Sequence, residues 1–394
     1  MAVTRSPDVA RQDSHLLTGV VMRIHLLTPS LIPGDAVSND VLGMCRWFRR
    51  RGLAAHAYAG HCHAELRKKV RPLRAYRRYL DSHDDILLYH HSVGWPAGMD
   101  LYRRSRNRRM IRYHNVTPPA FYGPYNAAYV RACRRGIQET RRLARSKAEL
   151  ILADSEFNAQ HMIACGADPS VCRTVPPLHR IGTLERLPLD EQLTARLRDR
   201  TNLLFVGRLT PNKGQLHLIR ALAYYRRYLG GDADLHLVGG FDVGIPGYRE
   251  QLQAEIRRHG LQEFVHLTGK VTARQLKTYY ASAAIFLCAS EHEGFGVPLV
   301  EAMYYGVPIV AYGGSAVGET LGDAGLIWET PEPALLAESI REIDSCPGLR
   351  QALVQRQRER YGRHFSLEAS ECRLAEVLGA RLVYATCLPP ARIC

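Results

Sequence analysis

Short apolar runs alternate along the chain with segments whose apolar residues recur at helical spacing. Runs of buried-strand length lie at 20–27, 54–59, 85–89, 109–113, 150–153 and 173–175, and again at 202–206, 233–238, 264–271, 283–288, 307–311 and 326–328. Most of the segments between them are helical in pattern; Val41, Leu42, Cys45, Trp47 and Phe48, for example, share one face. Strands that alternate with helices predict an α/β protein built on doubly wound parallel sheets.

The length of the chain predicts more than one domain. At 394 residues it exceeds a typical single domain. We expect a flexible tail at 1–19, a first domain at 20–195 and a second at 196–365, with a polar connecting segment at 182–200. No run of 18 apolar residues occurs, and the start is a poor secretory signal, which favours a cytoplasmic location.

The stretch from Ser290 to Gly314 carries the strongest chemical signal. Glu293 follows the apolar run 283–288, so it lies in a loop at the carboxyl end of a strand. Pro298 suits the first turn of a helix and Gly306 suits its end, which places Glu301 about one turn inside. Backbone N–H groups at such a helix start can face an anion, and two carboxylates can accept hydrogen bonds from hydroxyls. Together these features predict a ligand with several hydroxyls and a phosphate, which describes a sugar nucleotide.

A second motif opens the second half of the chain. The strand 202–206 runs into a glycine turn that contains Gly207, Arg208, Lys213 and Gly214, and an amphipathic helix follows. Two cations beside a helix start favour a diphosphate, because arginine offers a bidentate fork and lysine a point charge.

These motifs together resemble the retaining glycosyltransferases of family 4, whose signature pairs two glutamates eight residues apart. The resemblance implies the GT-B fold, in which two doubly wound Rossmann-like domains face a central cleft. It also implies that the last segment, 366–394, begins with a helix that crosses back onto the first domain. In that family Arg208 and Lys213 correspond to the diphosphate-binding pair, and His114 to a histidine that contacts the transferred sugar, with His91 the alternative.

The resemblance also implies the remaining site residues. Glu293 would hold sugar hydroxyls, assisted by nearby backbone amides, and Glu301 would hold the ribose. Val271 would face the nucleobase, and Gly34 lies in the loop that borders the cleft. The predicted catalytic residues are His114, Arg208, Lys213 and Glu293, and the predicted donor-binding residues are Gly34, Gly207, Val271, Gly294, Phe295, Gly296 and Glu301.

The strongly basic balance bears on partners. The net charge is +15, and between Arg46 and Arg109 there are 16 Lys or Arg against 5 Asp or Glu. No nucleic-acid-binding module accompanies this excess, so nucleic acid is not expected as a partner. An anionic membrane surface or a pyrophosphate-linked lipid acceptor remains open, beside ordinary solvated helix faces.

Neither a cofactor nor a metal ion is expected. No Asp-x-Asp triplet lies in a suitable loop, and His61-Cys62-His63 has no second ligand cluster at metal-binding spacing. We therefore expect the paired cations to replace a divalent ion.

The expected function is retaining hexosyl transfer from a nucleotide-diphosphate sugar to a glycan or lipid-linked acceptor. Residues 33–36 and 112–118 resemble bacterial envelope-polysaccharide members of the family, many of them mannosyltransferases, so GDP-mannose is the expected donor. A sugar phosphorylase or a nucleotide-sugar epimerase with a similar cleft is the enzymatic alternative. A membrane-bound scaffold without catalytic activity belongs to a different class.

Overall fold

The computed structural model describes residues 22–382, and its first sheet is built from the first half of the chain. Seven parallel strands lie in the order β3-β2-β1-β4-β5-β6-β7. They are β1 (Arg23–Leu31), β2 (Ala54–Cys62), β3 (Arg71–Pro72), β4 (Ile86–His91), β5 (Arg108–Tyr113), β6 (Leu150–Ala153) and β7 (Cys172–Thr174). The tail predicted at 1–19 lies outside the described residues, as do residues 383–394.

The second sheet repeats the plan with six parallel strands in the order β10-β9-β8-β11-β12-β13. They are β8 (Thr201–Val206), β9 (Ala233–Val238), β10 (Val265–Gly269), β11 (Ile285–Cys288), β12 (Ile309–Tyr312) and β13 (Leu326–Trp328). In both sheets the order reverses beside the first strand, as in doubly wound folds. The prediction of two such sheets is confirmed.

Helices cover both faces of each sheet. In chain order they are α1 (Ala36–Arg50), α2 (Pro96–Arg104), α3 (Ala127–Ala144), α4 (Glu156–Ala164), α5 (Ile181–Glu185), α6 (Glu191–Leu197), α7 (Gln215–Tyr228), α8 (Pro246–Arg258), α9 (Ala273–Ser282), α10 (Val297–Tyr305), α11 (Val317–Leu321), α12 (Pro333–Ser345), α13 (Pro347–Arg360) and α14 (Leu367–Leu382). Short 3₁₀ turns lie at Pro119–Tyr122 and Pro211–Lys213, among others.

Each sheet is apolar on both faces, which explains why its strands read as continuous apolar runs. Along β1, for example, Leu26 packs in one core and Leu27 in another, because successive side chains point to opposite faces. Leu204 and Phe205 divide in the same way between the two cores of the second sheet.

The first strand is longer than the sequence pattern predicts. The apolar run identified in the sequence ends at residue 27, but β1 continues to Leu31. Its pairing with β4 ends at Leu27, whereas its pairing with β2 continues to Leu31 and Cys62. Pro29 therefore lies where the strand has one neighbour, and there a missing donor is tolerated.

The segment at 182–200 is also more ordered than predicted, because it contains most of α5 and all of α6. Both helices pack in a core of the second sheet through Leu184 and Leu193, whereas Leu178 packs in a core of the first. The change of core occurs near residue 180. The expected boundary near 195 falls inside α6, and we keep the division of the chain as a prediction.

The carboxyl ends of the two sheets meet. Ser155, after β6, donates a hydrogen bond to the Gly294 carbonyl oxygen, after β11, at 2.8 Å. The last helix, α14, packs on the first sheet, where Leu374 and Leu378 join its core and Arg373 donates to the Thr174 carbonyl oxygen. Within residues 22–382 no helix has the length and apolar character needed to cross a bilayer.

Candidate functional site

The loop after β11 carries Glu293 and turns directly into α10. Gly296 is the N-cap of this helix with a φ of +96°, a conformation that favours glycine. Pro298 lies in the first turn, Glu301 lies inside the helix, and Gly306 ends it with a φ of +65°. The predicted placement of both glutamates is confirmed.

Lys213 and Glu293 meet across two adjacent turns. The Lys213 Nζ atom lies 2.5 Å from Glu293 Oε1, and both side chains are mostly shielded from solvent. Gly214 makes this approach possible. It has a φ of +66°, and a Cβ atom there would come within 2.0 Å of the Ala289 carbonyl oxygen. The turns are further joined by Asn212, whose carbonyl oxygen accepts from Glu291 N at 2.9 Å.

Arg208 follows the same strand, and its side chain is exposed. Within residues 22–382 its guanidinium has no ion-pair partner. Burial raises the pKa of Tyr122, and the charge of Arg208 opposes that rise, which puts the guanidinium near this first-domain tyrosine. The preceding residue, Gly207, packs closely against the end of β9, since a Cβ atom on Gly239 would come within 1.8 Å of the Gly207 carbonyl oxygen. The strand therefore delivers one free cation, Arg208, and one paired cation, Lys213, to the same edge of the sheet.

Glu301 is almost completely buried, with 4% exposure. Its carboxylate accepts a hydrogen bond from the Tyr280 hydroxyl at 2.8 Å. Burial raises the pKa of Glu301, and the nearby charge of Arg180 opposes that rise. The arginine also lies against the first domain, since its Nη1 atom would be 3.6 Å from a Cβ atom on Gly34. Arg180 therefore joins the loop after β1 to the glutamate expected to hold the ribose.

Comparison with known proteins identifies this arrangement. Residues 191–360 match the family model described as Glycosyl transferases group 1, a range that includes Arg208, Lys213, Glu293 and Glu301. The match covers the part of the chain that forms most of the second domain. The resemblance to family 4 glycosyltransferases is thereby confirmed.

Named relatives align with the same half. A D-inositol 3-phosphate glycosyltransferase of Geodermatophilus obscurus is 31% identical over 216 residues, 50% of this chain and 46% of the relative. An O-antigen chain mannosyltransferase B of Escherichia coli is 33% identical over 162 residues, 38% of this chain and 40% of the relative. The chain thus spans about half the length of these relatives or less.

Solved structures match over nearly the whole chain. Anabaena Alr3699/HepE in complex with UDP and glucose has a TM-score of 0.73 at 19% identity, covering 91% of this chain and 100% of that one. Sucrose-phosphate synthase from Thermosynechococcus elongatus has a TM-score of 0.72 at 18% identity, covering 93% and 100%. At this identity the likeness concerns the fold alone, which is GT-B.

His114, the histidine that the family resemblance singles out, lies in a buried polar network. Its Nδ1 atom is 2.8 Å from Asp154 Oδ2, and its Nε2 atom is 2.9 Å from His90 Nδ1. The alternative, His91, points elsewhere: its Nε2 atom lies 2.8 Å from the Thr140 hydroxyl, and burial lowers its pKa to about 3. Contact between His114 and a sugar therefore stays a prediction, because both of its ring nitrogens already have partners.

The glycine loop faces the first domain. A Cβ atom on Gly294 would come within 2.5 Å of the His114 carbonyl oxygen, so only glycine fits between the two strand ends. Ser155 caps α4 by accepting from Asn158 N, and its hydroxyl donates to the Gly294 carbonyl oxygen. The expected role of Gly294 toward a donor stays untested beside this contact between the domains.

Three further predicted residues lie around the loop. The Phe295 side chain packs in the core, and its carbonyl oxygen accepts from the Thr320 hydroxyl at 2.6 Å. Val271, half-buried, follows β10 at the carboxyl edge of the sheet. Gly34 has a φ of +83° in the turn before α1, which Asp35 caps.

Several polar residues at the site were not predicted from the sequence. Arg112 is buried in β5, where its Nε atom donates to Asp40 at 2.8 Å and its Nη2 atom lies 2.9 Å from Asp154. An arginine inside an apolar strand was the available signal. Asp40 lies 72 residues from Arg112 in the chain, so no local pattern pairs them. Glu319 also bridges the domains, as its carboxylate accepts from the backbone N–H of Glu156.

Proposed function

We propose that the chain is a retaining glycosyltransferase that moves a hexosyl group from a nucleotide-diphosphate sugar to an acceptor hydroxyl. The observation that carries the proposal is the contact between Lys213 and Glu293, 2.5 Å apart where β8 and β11 end. It brings a cation suited to a diphosphate beside a carboxylate suited to a sugar. The family membership of residues 191–360 supports the same interpretation.

In the proposed reaction, cleavage of the anomeric C–O bond leaves negative charge on the departing diphosphate. Arg208 and Lys213 would stabilise this charge as it develops, with backbone N–H groups near Gly294 assisting. Lys213 is paired with Glu293 in the free protein. A bound diphosphate would attract Lys213, and that exchange would release Glu293 to accept hydrogen bonds from the sugar hydroxyls.

Retention of configuration follows from same-face attack in this proposal. The acceptor hydroxyl attacks on the side from which the diphosphate leaves, and the departing phosphate oxygen takes the hydroxyl proton. The bond to the acceptor oxygen forms as the bond to the phosphate oxygen breaks. Glu301 would hold the ribose and His114 would contact the sugar.

Mannose is the proposed sugar and GDP-mannose the proposed donor. Relatives whose names describe mannosyltransferases support this choice, among them a GDP-mannose-dependent phosphatidylinositol monomannoside mannosyltransferase of Mycolicibacterium smegmatis, 30% identical over 217 residues. The structural neighbour bound to UDP-glucose supports the rival pairing. Thermal-shift measurements against GDP, UDP and their sugars would separate the two, since the correct donor should raise Tm most.

We also propose that the protein binds peripherally to the anionic inner face of the membrane. There it would take part in the synthesis of an envelope polysaccharide. Helix α3 carries exposed arginines on its outer side. They are Arg131, Arg134, Arg135, Arg141 and Arg142, for which residues 22–382 provide no ion-pair partner. The acidic residue of this helix, Glu139, is buried and accepts from Trp95 N at 2.8 Å. Cosedimentation with vesicles containing phosphatidylglycerol should exceed that with neutral vesicles.

Product analysis tests the proposed reaction. The chain would be incubated with radiolabelled GDP-mannose and a lipid extract, and the label followed into acceptor, free sugar, sugar phosphate and epimer. Transfer with release of GDP is expected. Sugar phosphate would indicate a phosphorylase, a changed sugar nucleotide an epimerase, and vesicle binding without donor turnover a scaffold; each would contradict the proposal. Chelation by EDTA should leave transfer unchanged, because Arg208 and Lys213 supply the positive charge.

A matched variant tests the role of the carboxylate. Glu293→Gln should abolish transfer without weakening GDP binding, because the substitution removes the charge that the sugar hydroxyls require and leaves Lys213 available to the diphosphate. Equal loss of both would show that Glu293 is not a sugar-binding residue.

A further inference from the structure

The amino-terminal ends of β9 and β10 bring three metal-ligating side chains together. Asp234 and His236 lie two residues apart on β9 and so share one face of the sheet. His266 is the direct neighbour of His236 on β10. One ligand atom from each residue lies within 4.8 Å of the other two. The proposed donor site lies at the opposite, carboxyl ends of these strands, so the proposed function uses none of the three.

The hydrogen bonds around Asn202 determine the state of His236. The Asn202 amide nitrogen donates to the carbonyl oxygens of Leu197 at 2.6 Å and Arg200 at 3.1 Å. Its amide oxygen therefore faces His236 Nε2, 2.9 Å away, and this ring nitrogen must be the protonated one. The lone pair is left on Nδ1, which is buried and has no hydrogen-bond partner among the described residues. In metal-bound histidines the ring N–H commonly donates to a carbonyl oxygen, and the other ring nitrogen binds the metal. His236 has the same arrangement of donor and free lone pair.

One oxygen of the Asp234 carboxylate contacts Arg200, and the other contacts His266, which is itself a candidate ligand. The Asp234 Oδ1 atom accepts from Arg200 Nη1 at 3.1 Å, and the Oδ2 atom lies 3.2 Å from His266 Nε2. The Arg200 side chain is 44% exposed, so its charge is partly screened by solvent. The His266 side chain is 40% exposed, which gives an ion a route from solvent and the ring room to turn.

The other His and Asp group in the described chain lacks these features. It comprises Asp40, His90 and His114. Both oxygens of Asp40 are taken by buried donors, Arg112 Nε at 2.8 Å and Leu178 N at 2.7 Å. A buried guanidinium on the carboxylate disfavours a second cation there. The contrast favours the group on β9 and β10.

We propose that Asp234, His236 and His266 bind one divalent transition-metal ion of the class of Zn²⁺. Two imidazoles and one carboxylate suit such ions, and water would complete the coordination at the exposed side. Zinc–ligand bonds of about 2.0–2.2 Å require the three ligand atoms to draw closer, which rotation of the exposed His266 ring can supply. The ion would tie β10, the edge strand of the second sheet, to its neighbour.

Titration of the metal-depleted full-length chain tests the proposal. We expect isothermal titration with Zn²⁺ alone to give one site per chain. At 100-fold excess of Zn²⁺ over Kd, Tm should rise by about 5 °C. Co²⁺ should give visible absorption bands that Zn²⁺ abolishes. His266→Ala and Asp234→Asn should each weaken Zn²⁺ binding at least about 10-fold.

The matched control is His259→Ala. His259 also lies beside a carboxylate, 3.2 Å from Glu255, but it belongs to neither three-residue group. This variant should bind Zn²⁺ like the parent chain. His266→Gln, which keeps a polar side chain at the strand edge, repeats the test if the alanine variant misfolds. Absence of stoichiometric binding, or binding that survives both His266 variants, would overturn the proposal.

Discussion

At the residue scale, the two predicted diphosphate-binding cations differ in state before any ligand binds. Lys213 is paired with Glu293, whereas Arg208 is exposed and, within the described chain, has no ion-pair partner. A diphosphate would therefore meet one available cation and one that must leave its partner. The two cations should contribute to transition-state stabilisation in the same direction, because both lie at the end of β8.

Arg208→Ala and Lys213→Ala should each lower kcat for transfer by about 100-fold or more, the usual loss when one preorganised charge donor is removed. Steady-state kinetics with the identified donor would measure this. Arg257→Ala, which removes an exposed cation from the same domain, serves as the control. Near-normal rates in both site variants would contradict the assignment of these cations.

The buried carboxylate of Glu301, which we propose binds the ribose, should lower the free energy of unfolding when it is ionised. Burial raises the pKa of Glu301, so this carboxyl ionises in the unfolded chain at lower pH than in the folded protein. Ionisation therefore stabilises the unfolded state relative to the folded state as pH rises from about 4.3 to the pKa that Glu301 has in the folded protein. The free energy of unfolding falls over that pH range.

Glu301→Gln cannot ionise, yet its amide oxygen can still accept from Tyr280. We expect the variant to exceed the parent chain in unfolding free energy at pH 8, on the order of 1 kcal/mol. The difference should shrink toward pH 4. Thermal unfolding at pH 4, 6 and 8 would measure it, and a gap that widens at low pH would refute the argument.

Which residues could be predicted follows from where their signal lies in the chain. Glu293, Glu301, Arg208 and Lys213 each belong to a local motif with glycines at fixed offsets. The network around His114 does not, because its members come from separate elements; Asp154, for example, lies 40 residues from His114. Sequence pattern identified a histidine at a strand end but could not reveal that both of its nitrogens are occupied.

At the element scale, periodicity predicted most strands because the sheets are buried on both faces. It failed where local composition and tertiary pairing disagree. Pro29 suggests a loop, yet β2 continues to pair beside it and extends β1 to Leu31. The short helices α5 and α6 were missed because each has only a turn or two of apolar residues. Their fold depends on the core of the second sheet.

The turn before α7 offers a prediction at this scale. Gly214→Ala should destabilise the chain more than Gly260→Ala does, although the two glycines have the same φ of +66°. A Cβ atom at Gly260 meets nothing within 4 Å, so only backbone strain of about 1–2 kcal/mol applies there. At Gly214 it would collide with the Ala289 carbonyl oxygen, and the turn carrying Lys213 must shift.

Chemical denaturation of the two glycine variants would measure the difference, and donor kinetics would follow the displacement of Lys213. We expect activity to fall only in Gly214→Ala. Equal stability of the two variants would mean that the close approach to Ala289 contributes nothing.

At the scale of the whole molecule, the two domains are joined by hydrogen bonds as well as by the chain. The Glu319 carboxylate accepts from the backbone N–H groups of Glu156 and Phe157, at 2.6 Å and 2.9 Å, and so caps α4 from the other domain. A carboxylate at a helix start is favourable for the exposed N–H groups and for the helix dipole. Ser155 adds its bond to Gly294 at the same place.

Glu319→Ala should loosen this contact. We expect faster hydrogen exchange at the Glu156 and Phe157 amides and a larger radius of gyration in small-angle scattering. The stability cost should be about 1 kcal/mol, as for loss of a helix cap. Glu332→Ala, at an exposed glutamate that makes no cap hydrogen bond, is the control. Unchanged exchange at α4 would show that the contact does not hold the domains.

The hydrogen bond between Ser155 and Gly294, which joins the two domains, has a kinetic consequence. In the proposed reaction the nucleotide donor would enter between domains that touch at this point, so we expect each cycle to part the two domains and bring them together again. Such large movements displace solvent and are slowed by friction. Turnover should therefore decrease as glycerol raises the viscosity of the solution, even though viscosity does not affect the chemical step itself.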